Sequence, residues 1–224
     1  MEKIAFSFVM PAFKRKFLYD SIDSILKQTY NDFELVIVND ASPEDLKSVV
    51  ELFNDQRIIY KENATNIGGH DLVANWNHCI RFAKHDYVIL AADDDLFDYD
   101  FLSEASILIK KYPEVDIIRS GVKKIDEQNV ILDKEFLHKE YMTCREFTLY
   151  WAKGGTISCI SNYIFRKNAL ENINGFVSFP HAHYSDDATA LALSANGIVN
   201  LKSNLMSFRV SKINLSNRTD LNIV

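Results

Sequence analysis

The sequence predicts an α/β fold: a Rossmann-like, mostly parallel central sheet with helices on both faces. Three observations predict it. Short apolar runs of strand length alternate with stretches of helical period through the first half. No linker, internal repeat or low-complexity segment divides the 224 residues, which read as one domain, 1–224, with a substantial core. Three of the apolar runs end in polar or turn-forming residues, at Pro11-Ala12-Phe13, Asn39-Asp40 and Asp93-Asp94-Asp95. Strands separated by single helices pair in parallel, and such sheets bind ligands beyond the carboxyl ends of their strands. The topology therefore brings these distant polar groups to one edge.

The elements follow in order. Ile4 to Met10 is a compact apolar run stopped by Pro11, a first strand. Leu18, Ile22, Ile25 and Leu26 recur on one helical face. Phe33 to Val38 is a second buried strand. Ser42-Pro43-Glu44-Asp45 predicts a helix start, with a capping hydroxyl, a first-turn proline and two acids at the positive end of the dipole. Leu46, Val49, Val50 and Phe53 continue that helix. Arg57 to Lys61 is a shorter strand, Asn66 to Gly69 a loop, and Val73, Trp76 and Ile80 mark a helix. Asp86 to Ala92 is the strand that runs out at the three aspartates.

The second half is less regular. Asp98 to Lys111 reads as a helix and Val115 to Arg119 as a strand. Gly121 to Leu132 reads as a hairpin turning at Glu127-Gln128-Asn129. Thr143 and Glu146 have capping-box spacing before a helix containing Phe147 and Trp151. Cys159 to Phe165 reads as a strand. Asp186-Asp187 opens a helix that stops at Asn196-Gly197, and Ile198 to Leu201 and Leu205 to Val210 are closing strands.

Composition narrows the function. The chain is 47% hydrophobic and 25% charged, ordinary for a globular protein. Its net charge of −6 argues against a nucleic-acid binder, which needs a basic surface. It leaves a nucleotide ligand open, because one metal ion can reverse the local potential. No apolar run approaches the length of a membrane span, and the N-terminus lacks the charge-then-apolar order of a signal peptide. The three cysteines, Cys79, Cys144 and Cys159, are odd in number and widely spaced, as reduced cytosolic thiols would be.

Asp93-Asp94-Asp95 carries the most chemistry. Three adjacent carboxylates against a sheet repel one another and lose hydration. Either they point into water as a solvated acidic turn, or a hard divalent cation with oxygen ligands neutralises them.

These residues resemble family 2 glycosyltransferases of the GT-A fold over nearly the whole chain. The resemblance rests on Phe8-Val9-Met10-Pro11-Ala12-Phe13, Ile37-Val38-Asn39-Asp40-Ala41-Ser42, Asn66-Ile67-Gly68, Tyr87 to Phe97, Gly175-Phe176 and Asp186-Asp187, in the family's order. It implies a nucleotide-sugar half, 1–97, and an acceptor half, 98–224. It implies inverting transfer of a sugar, usually from a UDP-sugar, to the hydroxyl of a saccharide or lipid-linked saccharide, in cell-surface polysaccharide or glycoconjugate synthesis.

On that resemblance the donor would meet Pro11, Ala12, Phe13, Asp40, Asn66, Gly68, Asn77, Asp93, Asp94 and Arg209. Asp40 would accept from the uracil ring, although Asn39-Asp40-Ala41-Ser42 stands where the family usually has two acids followed by Gly-Ser. Mn²⁺ or Mg²⁺ would sit on Asp95 and on Asp93 or Asp94. Asp187, or its neighbour Asp186, would take the proton from the acceptor hydroxyl. The same two acids also suit helix capping and the dipole alone. Trp76 reads as core, and His181 and His183 as an exposed loop or an acceptor or metal contact. A lipid-linked acceptor would be met by peripheral contact at the inner face of the membrane from the cytoplasm. Two hundred and twenty-four residues are short for the family, so a further C-terminal segment is an open expectation.

Two other classes compete. A nucleotidyltransferase uses a related sheet and metal carboxylates, but usually needs a glycine-rich loop after the first strand, and Pro11 to Arg15 has no glycine. A non-catalytic nucleotide or carbohydrate module would keep the fold and lose the acids.

Overall fold

Strand β1 (Phe6–Ala12) is the hub of the sheet, pairing in parallel with β2 (Phe33–Asn39) on one side and β4 (Tyr87–Leu90) on the other. The computed structural model describes residues 3–212. Phe6, Phe8, Met10 and Ala12 enter one core and Val9 the opposite one. Both faces are covered, so the strand reads as a continuous apolar run. Leu35 and Ile37 against Val36 and Val38 repeat the pattern in β2. Strand β3 (Ile58–Glu62) forms the edge beside β2.

Helices α1 (Leu18–Leu26), α2 (Lys47–Val50) and α4 (Phe101–Lys111) fill the first core. Helices α3 (Leu72–Cys79), α5 (Cys144–Ala152), α6 (Lys167–Asn172) and α7 (Ser185–Leu193) fill the second. Helices thus lie on both faces, as expected.

Beyond β4 the sheet becomes mixed. Strand β6 (Ile117–Arg119) follows α4, and β10 (Tyr163–Arg166) enters later, antiparallel to both β4 and β6. Strand β11 (Ile198–Asn200) is parallel to β6, and β9 (Tyr141–Met142) closes the edge antiparallel to it. The full order is β3-β2-β1-β4-β10-β6-β11-β9, with four parallel and three antiparallel pairings. The parallel expectation holds wherever single helices join neighbours and fails where β10 returns from a distant part of the chain.

A second sheet of β5 (Leu96–Phe97), β12 (Met206–Arg209), β7 (Val122–Ile125) and β8 (Ile131–Lys134) backs the aspartates. The expected hairpin is β7–β8. Asp126 Oδ1 accepts from Gln128 N and Val130 N to close its turn.

Two boundaries differ from expectation. Helix α2 starts at Lys47 rather than near Ser42, because the polar groups before it bind other segments. Ser42 Oγ donates to Phe13 O (2.6 Å) and Glu44 accepts from Arg15 N (2.8 Å). The expected strand from Cys159 begins only at Tyr163, after a tight turn at Ile160–Asn162. The capping box at Thr143 and Glu146 forms as read. Among the described residues no helix is long and apolar enough to cross a membrane.

Candidate active site

The carboxyl ends of β1, β2 and β4 meet as the topology requires. Asp93, Asp94 and Asp95 are buried, at 4%, 6% and 1% exposure, so the solvated-turn alternative fails. Each has a different set of partners. Asp93 Oδ2 accepts from the backbone N–H of Phe13 (2.8 Å) and Lys14 (2.7 Å), tying the loop after β1 to the end of β4. The Lys14 ammonium lies 2.5 Å from Asp94 Oδ2 and 3.3 Å from Asp93 Oδ1. Asp95 accepts from Ser161 Oγ (2.7 Å) and Arg209 N (3.1 Å).

Burial sets the electrostatics. It pushes the Asp95 carboxyl up to about 7, helped by the charge on Asp94 and opposed by the hydroxyl of Ser161 and the N–H of Arg209. Burial also raises Asp93, against the pull of Lys14. Burial alone would lower Lys14, yet Asp93 and Asp94 leave it raised and firmly charged. The edge thus holds three acids against one ammonium. These are hard oxygen donors of the kind that divalent magnesium and manganese prefer. Such ions commonly take one or two protein carboxylates and complete their shell on phosphates. Among the described residues no group of three or more His, Cys, Asp or Glu side chains is placed to hold a metal ion.

Asp40, one strand over, is 2% exposed. Its Oδ1 accepts from Asn63 Nδ2 (2.7 Å) and Ile67 N (2.9 Å), and its Oδ2 from Gly68 N (2.7 Å). The residue expected to meet a uracil ring therefore also has a structural role. In this state Asp40 holds the 63–68 loop, because three protein donors converge on it. Gly68 permits that approach: a Cβ there would stand 3.0 Å from both Asp40 Oδ2 and Asn75 Nδ2. Asn66 turns inward on its own loop and accepts from Gly69 N. Pro11 and Ala12 lie beneath, while the Phe13 ring is 40% exposed at the mouth.

Two residues expected to meet the donor are engaged by the protein itself. Asn77 Oδ1 accepts from Phe176 N (2.8 Å), because the face of α3 that carries it packs on the Gly175–Phe176 turn. Arg209 is fully buried. Its Nε donates to Asp94 O (2.8 Å), its Nη1 to Asn129 Oδ1 (2.7 Å), and its guanidinium lies 4.3 Å from the centre of the Phe17 ring. It braces the aspartate turn from behind. Trp76 is core, edge-on to Phe176, as read.

Asp186 and Asp187 come from the first turn of α7. Burial, then the neighbouring charge of Asp187, raises Asp186 to about 6. Burial raises Asp187, which is 6% exposed, while Ser158, Trp151 and Arg119 favour its charge. The segment before β10 joins the two acidic groups. Ser161 bonds Asp95, Ser158 faces Asp187, and the thiol of Cys159, raised first by burial, feels both Asp95 and Asp186.

Sequence reading missed this segment and its anchors. Ile157 is fastened on both sides: its N–H donates to Glu135 (3.0 Å) and its carbonyl accepts from Arg119 Nη2 (2.6 Å). Glu135 also pairs with Arg119 and lies 3.2 Å from His138 Nε2. Lys14 was missed as well. Its only sequence signal is a cation just after a strand end, in a cluster with Arg15 and Lys16.

Comparison with known proteins bears on this geometry. Residues 7–173 match the family described as Glycosyl transferase family 2. The chain is 24% identical over 192 residues to Escherichia coli WfaP, a UDP-Glc:alpha-D-GlcNAc-diphosphoundecaprenol beta-1,3-glucosyltransferase, covering 84% of this chain and 69% of that protein. In structure it resembles S. aureus TarS 1-349 in complex with UDP-GlcNAc, with a TM-score of 0.77 at 19% identity, over 96% of this chain and 61% of that one. It also resembles the mannosyltransferase PcManGT from Pyrobaculum calidifontis in complex with GDP-Man and Mn²⁺, with a TM-score of 0.67 at 19% identity, over 96% and 59%. The chain spans about half the length of the curated relatives it matches, 41% and 49% for two of them.

Proposed function

We propose that this chain, which belongs to glycosyl transferase family 2, transfers a sugar from a UDP-sugar to an acceptor hydroxyl with inversion at the anomeric carbon. The observation that carries the reading is the junction of Phe13 N and Lys14 N with Asp93. It ties the loop after β1 to the end of β4, where we read the donor side; the acceptor side is read at Asp186 and Asp187. The whole chain serves as one catalytic unit, with residues 1–97 toward the donor and 98–224 toward the acceptor.

In this reading the donor lies along Pro11, Ala12, Phe13, Asn66 and Gly68, with the exposed Phe13 ring against the base. Of the three aspartates, Asp94 and Asp95 suit a divalent ion, Mn²⁺ or Mg²⁺. Asp93 is already engaged by two backbone N–H groups. Such an ion supplies charge neutralisation on the diphosphate. Lys14 adds a protein cation at the same edge. Asp187 accepts the hydroxyl proton as the acceptor oxygen bonds to the anomeric carbon and the bond to the diphosphate breaks. Ser158 favours the charged form of that carboxylate.

Support for UDP comes from TarS with UDP-GlcNAc and from WfaP, named for UDP-Glc. WfaP also acts on a diphosphoundecaprenol-linked sugar. A lipid-linked saccharide met at the inner face of the membrane, in polysaccharide synthesis, is therefore the acceptor class we favour.

A panel of nucleoside diphosphates with and without Mn²⁺, read by thermal shift and by donor hydrolysis, tests the proposal. UDP with Mn²⁺ should raise the melting temperature, Asp95→Ala should abolish the rise, and hydrolysis should release UDP. Release of pyrophosphate would indicate nucleotidyl transfer. No shift with any nucleoside diphosphate would overturn the reading.

A further inference from the structure

The Lys14-Arg15-Lys16 run just past β1 sends its three cations in three directions. Arg15 Nε donates to Asp45 O (3.2 Å), and the Lys16 ammonium pairs with Glu127 (2.6 Å). Lys14 alone of the three turns onto the aspartates, 2.5 Å from Asp94 Oδ2 and 3.3 Å from Asp93 Oδ1. The Asp93 and Asp94 side chains are 6% and 9% exposed, so an opposite charge beside them offsets a large desolvation cost. Two features make this contact releasable. First, the backbone around Lys14 is fastened without its side chain. Phe13 N and Lys14 N donate to Asp93 Oδ2, Ser42 Oγ donates to Phe13 O, and Arg15 N donates to Glu44. Arg209 Nε holds the Asp94 carbonyl from behind. The ammonium can therefore swing away while both the loop and the aspartate turn stay in place. Second, the Lys14 side chain is 24% exposed, so the ammonium sits at the mouth of the edge and the carboxylates beneath it.

We propose that Lys14 is an exchangeable internal counter-ion: its ammonium neutralises the aspartates in the empty protein, gives them up to a divalent ion, and moves to the diphosphate of the donor. The inference rests on the reading in which Asp94 and Asp95 take Mn²⁺ or Mg²⁺. It goes beyond that reading by making the binding of metal and of nucleotide depend on one side chain. An ammonium and a divalent ion on one carboxylate repel each other. Metal binding without nucleotide must therefore break the Lys14–Asp94 pair and leave a cation with no partner. When a diphosphate is present, its oxygens receive the displaced ammonium and the loss is recovered. Each ligand thus favours the other, as linkage requires. A lysine suits this exchange, because its ammonium is a compact point charge with rotatable donors on a flexible stem.

Calorimetric titration of the full chain separates the two halves of the exchange. Mn²⁺ is titrated without nucleotide, and UDP is titrated at saturating Mn²⁺, on the wild type, Lys14→Met and Lys16→Met. Lys14→Met should bind Mn²⁺ alone about ten-fold more tightly and UDP about ten-fold more weakly, the worth of one hydrogen bond between charged groups in each case. Damage to the fold would weaken both, so the opposite signs are the signature. Lys16→Met makes the same charge change two residues away, on a side chain paired with Glu127, and should match the wild type. Lys14→Met should also melt below the wild type without metal and recover when Mn²⁺ is added, because the ion replaces the missing ammonium. Lys14→Gln, which keeps a donor without the charge, should move both affinities in the same directions. Unchanged or weaker Mn²⁺ binding in Lys14→Met and Lys14→Gln, UDP binding that ignores their loss of charge, or an equal gain in Lys16→Met would overturn the inference. A wild type that binds UDP with Mn²⁺ while Lys14→Met changes neither affinity refutes this inference alone. A wild type that binds no nucleoside diphosphate refutes the function proposed above.

Discussion

Arg119→Met tests whether the buried Arg119–Glu135 ion pair holds the segment at Ile157 in place. The side chains of Arg119 and Glu135 are 1% and 2% exposed. Removing the guanidinium leaves Glu135 with the N–H groups of Val122 and Ile157, both at 3.0 Å, and His138 at 3.2 Å, but without the arginine's fixed positive charge. Breaking a buried pair from one side costs about 3–5 kcal/mol. The double variant Arg119→Met/Glu135→Gln removes the stranded charge and keeps a carbonyl oxygen for one N–H. Its cost should fall to about 1–2 kcal/mol, one imperfect hydrogen bond.

Urea unfolding of the wild type, both singles and the double gives the coupling directly. Acid dependence adds a check. Burial alone would raise the Glu135 carboxyl, yet His138, Arg119 and the Ile157 N–H together leave it lowered. Its stabilisation is therefore present above the unfolded value near about 4.3 and is lost as pH falls through the lower folded value. Without Arg119, burial wins and the carboxyl rises. The cost of Arg119→Met should then shrink as pH drops toward about 5, because the neutral acid is tolerated. A single variant costing under about 1 kcal/mol, or a double costing the sum of the singles, would refute the reasoning.

Four further outcomes are expected. Ala41 has φ 50°, so Ala41→Gly should stabilise the protein by about 1 kcal/mol in urea unfolding. Gly175 has φ +92° and a Cβ there would stand 2.2 Å from Asn77 Oδ1, so Gly175→Ala should cost about 1–3 kcal/mol in the same assay. Asp187→Asn should lower kcat by about 10²–10⁴-fold in a transfer assay while UDP binding by thermal shift persists. The acid limb of the transfer rate should fall through about pH 6, where Asp186 takes up a proton beside the base and the acidic pair loses charge; a flat profile down to pH 4 would contradict this assignment.

The polar edge at the ends of β1 and β4 was legible because its signals are local. The apolar run of β1 breaks at Pro11, that of β4 breaks at the aspartates, and one helix per crossover makes their ends adjacent. The Thr143–Glu146 capping box was legible for the same reason, with donor and acceptor three residues apart. The start of α2 was misplaced because Ser42 and Glu44 look like capping groups in sequence, yet they bond to Phe13 and Arg15, about thirty residues away. Arg209 and Asn77 carry polar groups fit for a diphosphate or a ribose. Only packing shows that one braces Asp94 and the other the turn at Phe176.

The sequence by itself determined the α/β class and the position of three acids at a strand end, because hydrophobic period and strand–helix alternation are local properties, and its short motifs carried the resemblance to the family. The tertiary structure alone decided how those acids divide their work. Asp93 anchors the loop after β1, Asp94 meets Lys14, and Asp95 is held by Ser161 and the backbone of Arg209. It alone brought Cys159 within the electrostatic reach of both Asp95 and Asp186 and joined Arg119 to Ile157. The reason is physical. Burial and long-range hydrogen bonding set the charge of a carboxylate and the partner it takes, and neither is encoded in the spacing of residues along the chain.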